Sequence, residues 1–78
     1  MFAIVNIGMG SSIGRHVHRG EMEFYYCISG KGMLNDNGEH TVFCPGDVHS
    51  CADGDFHSIR NEEPCELKFL VTIVKNLA

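Results

Sequence analysis

No run of about a dozen residues in this chain places apolar side chains at the i, i+3, i+4 and i+7 spacing of an amphipathic helix. Glycine instead interrupts the sequence every few residues, with short apolar runs between. That punctuation leaves a sheet protein as the expected fold. The spacing predicts strands over residues 2–7, 15–18, 23–29, 32–35, 40–44, 48–51, 57–61 and 66–75. The last run alternates, with Leu67, Phe69, Val71 and Ile73 on one face and Glu66, Lys68, Leu70, Thr72 and Val74 on the other, the period-two signature of a strand with one buried side. In the stretch "NDNGEH", Asn37 and Gly38 both tolerate the positive φ that a tight hairpin demands. Short strands joined by such turns form an all-β sandwich or barrel. No repeat or low-complexity linker divides residues 1–78, so a single domain is expected.

A domain of 78 residues buries only about 60% of the surface its unfolded chain exposes. Its stability is marginal without a metal, disulfides or a partner subunit. Four cysteines, Cys27, Cys44, Cys51 and Cys65, are present without a C-x-x-C pair, which argues against a zinc ribbon and for small buried thiols. The same absence of redox spacing ranks a thiol-based redox role last. Six Lys and Arg are scattered against ten Asp and Glu; no basic stripe exists to bind phosphates, so no nucleic-acid partner is expected. The opening "MFAIVNIGMG" lacks a charged leader and breaks at Asn6, well short of the ~20 apolar residues of a membrane span. A cytoplasmic protein without membrane contact is expected.

The strand over 23–29 is apolar on both sides: Phe24, Tyr26 and Ile28 share one, Glu23, Tyr25 and Cys27 the other. If Glu23 marks the interior, the first set faces outward and needs a cover. A homodimer is the expected cover.

Just before this strand, His16 and His18 lie two positions apart, so on a strand their imidazoles project together in chelate geometry. Glu23 lies five positions past His18, an odd offset; a turn at Arg19 and Gly20 resets the alternation and returns the carboxylate to the same interior. The wider spacing is Gly10, His16, His18, Glu23 and Gly30 over residues 10–30, then Gly46, Ala52, Gly54, His57 and Asn61 over residues 46–61. These stretches resemble the paired motifs of the cupin family, G-x5-H-x-H-x3-4-E-x6-G and G-x5-P-x-G-x2-H-x3-N. The one departure is Ala52, where the family usually has proline. The resemblance implies a small jelly-roll β-barrel, commonly dimeric, with a divalent metal held inside by His16, His18, Glu23 and His57. Three imidazoles and a carboxylate suit a borderline transition ion, and Zn, Fe, Mn, Ni and Cu all accept that set. On an octahedral ion such a set leaves positions open for water or a small-molecule ligand.

Tyr25 and Cys27 follow Glu23 on its face and are candidate pocket residues; packing in the core is the alternative for each. His49 and Cys51 share a face whose direction the sequence leaves open. Asn61 is expected to stabilise a turn or support the ligands from outside, His40 to be solvated, and Arg15 and Arg60 to point outward. The resemblance and the open coordination favour a metal-dependent enzyme on a small molecule, isomerase- or dioxygenase-like. The alternative is a non-catalytic module that captures a small ligand or metal as a sensor, because so short a chain leaves few loops for a specificity pocket.

Overall fold

A computed structural model describes residues 2–17 and 19–75, with the backbone alone for 15–17. The element order is β1 (Phe2–Ile7), β2 (Ser12–Val17), β3 (Glu21–Ser29), β4 (Gly32–Asp36), β5 (Glu39–Phe43), β6 (Val48–Cys51), β7 (Phe56–Arg60) and β8 (Leu67–Lys75). Every expected strand is present. The largest departure is β2, which begins three residues earlier than the alternation implied; Gly14 and the polar residues around it conceal its start.

The strands form two antiparallel four-stranded sheets, ordered β1-β8-β3-β6 and β2-β7-β4-β5. Apolar side chains of both sheets meet between them. Tyr25, Cys27, Leu67, Phe69 and Val71 come from the first sheet and Leu34, Phe43 and Ile59 from the second, all buried in one cluster. The alternation in β8 places Leu67, Phe69 and Val71 inside, with Ile73 partly buried against the same cluster. Tyr25, Phe43 and Phe69 form its aromatic centre, with ring centroids 4.8 Å apart for Tyr25–Phe69 and 6.2 Å for Phe43–Phe69. Tilted pairs of this kind add about 0.5–1.5 kcal/mol each beyond the area they bury. The result is the jelly-roll, or double-stranded β-helix, architecture.

The expected hairpin joins β4 to β5, with φ of 51° at Asn37 and 92° at Gly38 and Asp36 opposite Glu39 in register. Its tip is docked rather than free: Asn37 Oδ1 accepts from Phe56 N at 3.1 Å, and Asn37 N donates to Phe56 O at 3.0 Å. That contact fixes the start of β7, one residue before His57. Gly30 is required where the chain leaves β3: its φ is 85°, and a side chain there would meet the backbone of Leu67 at 2.8 Å. Asn61 is fully buried and stabilises a turn, donating to Ile7 O at 2.9 Å and Cys65 O at 2.8 Å while accepting from Glu63 N at 2.9 Å.

The outer face of the first sheet carries Phe2, Ile4, Tyr26, Ile28, Val48 and Val74, all exposed. Register places Ile4, Leu70, Tyr26 and Val48 in one row across all four strands, and Phe2, Thr72, Phe24 and Ser50 in the next. The outward direction of the Phe24, Tyr26, Ile28 stripe therefore follows from the inward direction of Glu23.

Candidate metal centre

Two sheets supply the polar groups at one end of the interior. β3 directs Glu23 and Tyr25 inward and β7 directs His57, all three buried. The carboxylate and imidazole meet, with Glu23 Oε1 2.6 Å from His57 Nε2. Tyr25 stacks on His57 at a centroid distance of 5.0 Å and an interplanar angle of 20°, its hydroxyl 3.5 Å from the same Nε2. Burial, then the neighbouring Glu23 carboxylate, drives the Tyr25 phenol far above its ordinary value. It is a neutral hydrogen-bonding group, not a base.

Of the four expected ligands, Glu23 and His57 are thus in contact. The backbone of His16 lies directly opposite His57 in the β2–β7 register, past a shift between Ile13 and His16. The His16 side chain and the whole of His18 lie outside the described residues. The expected turn at Arg19 and Gly20 is present, with φ of 73° at Gly20. Gly20 N donates to Asp53 Oδ1 at 2.8 Å, joining the loop after the histidine pair to the Ala52–Asp53–Gly54 loop that lacks the usual proline. Among the described residues no group of three or more His, Cys, Asp or Glu stands ready to hold an ion. The pair that is described, one buried carboxylate oxygen and one buried imidazole nitrogen, has donor chemistry suited to a borderline transition ion.

The open question of β6 resolves inward for both residues: His49 and Cys51 are buried while Val48 is 68% exposed. Register explains why. Cys51 pairs with Glu23, and His49 pairs with Tyr25, so β6 continues the inner rows of β3. His49 Nε2 lies 3.0 Å from His57 Nδ1. Burial first, then the adjacent His57, pushes His49 below its ordinary value of 6.5, which keeps it neutral. Cys51 is pushed up to about 11 by burial and then by Asp55, so it remains a thiol. Cys27 packs in the core, its Sγ 3.9 Å from Ser29 O and 4.0 Å from Gly30 O.

All four cysteines are free thiols. The expectation of buried thiols holds for Cys27 and Cys51 and is corrected for Cys44, which is partly exposed, and Cys65, which is exposed. Both lie outside the strands, at the surface between them. His40 and Arg60 are exposed, and Arg60 Nη2 pairs with Glu62 Oε1 at 2.6 Å. Among the described residues no lysine or arginine is buried.

A cavity of about 360 Å³ lies beside β5 and β6, lined by Leu34, Asp36, Thr41, Phe43, Asp47 and His49 among others. A second depression, about 300 Å³, includes Asn35, His40, Ser58 and Arg60 and does not reach Glu23 or His57. His49 therefore stands between the first cavity and the Glu23–His57 pair. No described helix is long and apolar enough to cross a membrane.

Fold and motifs agree with comparison to known proteins: residues 3–73 match the Cupin domain family, and the chain belongs to it. An oxalate-binding protein of Thermotoga maritima is 40% identical over 74 residues, covering 95% of this chain and 61% of that one. The crystal structure of a predicted oxalate decarboxylase from Thermotoga maritima superposes with a TM-score of 0.94 at 40% identity, covering 96% of this chain and 65% of the other. A sugar phosphate isomerase of the cupin superfamily from Silicibacter pomeroyi gives a TM-score of 0.87 at 24% identity, covering 96% of this chain and 50% of that one, a likeness of fold. This chain thus spans less than two thirds of each of these relatives.

Proposed function

We propose that this protein holds a divalent transition metal through His16, His18, Glu23 and His57 and captures a small oxygen-rich ligand beside it. The observation that carries this reading is the buried Glu23–His57 contact at 2.6 Å, formed between two sheets with His16 opposite His57 in register. Four protein ligands on an octahedral ion leave two positions open, and a small dicarboxylate spans two adjacent positions with two oxygens. The oxalate-binding relative makes oxalate the first ligand to test. No buried arginine or lysine is needed, because the ion itself supplies the positive charge.

The experiment is metal analysis of the protein purified without added metal, followed by calorimetric titration with oxalate before and after chelation. The expected result is a bound divalent ion and oxalate binding that disappears with it. Oxalate binding that survives chelation, or a chain that takes up no ion, overturns the proposal.

Turnover is a second reading, supported by the neutral Tyr25 hydroxyl 3.5 Å from His57 Nε2. It can hold a ligand oxygen while the ion acts as a Lewis acid. Tyr25→Phe would then remove turnover and spare ion binding. We further infer that a second copy of the chain covers the exposed apolar rows of the first sheet, since the same rows brought together by a two-fold axis are self-complementary. Sedimentation at micromolar concentration should show a dimer. Four free thiols fit a reducing compartment, and the cytoplasm is the location proposed.

A further inference from the structure

His49 lies outside the proposed ligand set of His16, His18, Glu23 and His57, yet it touches the second nitrogen of His57. Its Nε2 is 3.0 Å from His57 Nδ1, with the rings 5.2 Å apart at 32° and both side chains buried. The other nitrogen of His57 faces Glu23 at 2.6 Å. The two sides of one imidazole are therefore assigned to different partners.

A hydrogen bond between two imidazole nitrogens contains one hydrogen, so one ring donates and the other accepts. For His57 Nε2 to offer its lone pair to a cation, the hydrogen of that ring must sit on Nδ1 and be donated to an acceptor. His49 Nε2 occupies the acceptor's place. We infer that His49 is a positioning residue: with the ion bound it accepts from His57 Nδ1–H, and so fixes the tautomer and ring orientation that offer the Nε2 lone pair to the ion, rather than the tautomer whose Nε2–H donates to Glu23. This rests on the metal reading above.

The fold holds His49 firmly enough for the task. Its β6 position is paired to Tyr25, and the Tyr25 ring packs on it at a centroid distance of 5.7 Å. The turn before β6 is closed by Asp47, whose Oδ2 accepts from Cys44 N at 2.9 Å. His49 comes from one sheet and His57 from the other, so their bond also sets the separation of the sheets at the site.

The test uses the full chain, Zn²⁺ as probe, and two variants. His49→Leu keeps bulk but removes the acceptor, whereas His49→Gln supplies an amide oxygen in its place. Zn²⁺ affinity by chelator competition should fall about 10–100-fold in His49→Leu, the range typical of partners that orient a ligand, and recover in His49→Gln. Long-range ¹H–¹⁵N spectra of the Zn²⁺-loaded wild type should show His57 with its hydrogen on Nδ1. If His49→Leu fails to fold, the wild-type spectrum and the His49→Gln affinity decide the matter. Undiminished Zn²⁺ affinity in a folded His49→Leu protein, or a His57 hydrogen on Nε2 in the loaded wild type, overturns the inference. A wild type that takes up no Zn²⁺ overturns the metal reading with it, and shows itself before any variant is made.

Discussion

The two ends of the interior are built by the same strands and differ in what they contribute. Along β3, Cys27 pairs with Phe69 at one end and Glu23 pairs with Ile73 at the other. Around Cys27 the neighbours Leu67, Phe69, Ile59 and Phe43 are apolar and buried. Around Glu23 stand His57, Tyr25 and His49, polar and equally buried. The apolar end needs only to be close-packed to stabilise the fold. At the polar end, every group must be desolvated and then satisfied by a neighbour, and such arrangements often stabilise less than hydrocarbon of the same volume. A chain with so small a core that retains this end carries a cost that packing alone does not repay.

The sharpest way to break the contrast is to attack each end in turn. Phe69→Ala at the apolar end should cost about 3–5 kcal/mol of unfolding free energy, read from the denaturant midpoint; a loss under about 1 kcal/mol would show that end to be loosely packed. At the polar end, Glu23→Leu alone should cost about 1–3 kcal/mol by removing the carboxylate from His57 Nε2, whereas Glu23→Leu with His57→Leu should recover that loss. The double variant should also lose the ion. A double variant as unstable as the single one would mean that the polar end supports the fold rather than a ligand.

Titration separates the groups more gently. His49 is held below its ordinary 6.5 in the folded chain, so its contribution is complete above that pH. It is lost on acidification, as the unfolded chain takes up a proton that the folded one resists. Cys51, raised from 9.0 to about 11, acts in the opposite sense. Its contribution is complete below pH 9 and lost as the pH climbs to about 11, a change on the order of 2 kcal/mol. Thermal melts across pH should therefore fall on both sides; Cys51→Ala should flatten the alkaline side, and an unchanged slope would remove Cys51 as its cause. The smallest effect is expected outside both ends. Arg60→Ala, which breaks the exposed pair with Glu62, should change stability by no more than about 1 kcal/mol, and a larger loss would give the outer face a structural role.

Most of the architecture was legible because alternation is a local signal. Leu67, Phe69 and Val71 announce the buried face of β8, and the "NDNGEH" stretch announces its hairpin. The start of β2 was obscured because Ser12 and Gly14 carry no apolar period. Motif spacing put Glu23 and His57 in one expected ligand set without foretelling their direct contact, and it gave no role to His49. In Val48–Cys51 each face holds one strongly placed and one ambiguous residue, so alternation cannot choose between them. Pairing with β3 chooses, and pairing is a property of residues far apart in the chain. The same non-locality hid Asn61's bonds to Ile7 and Cys65.

The bond from Gly20 to Asp53 spans 33 positions and is exposed to water. It stands where a proline ring would otherwise stiffen the second loop, and it replaces a permanent restraint with a latch worth about 0.5–1.5 kcal/mol. A latch of that strength opens and recloses on its own, so the two loops at this end of the barrel can part without melting any strand.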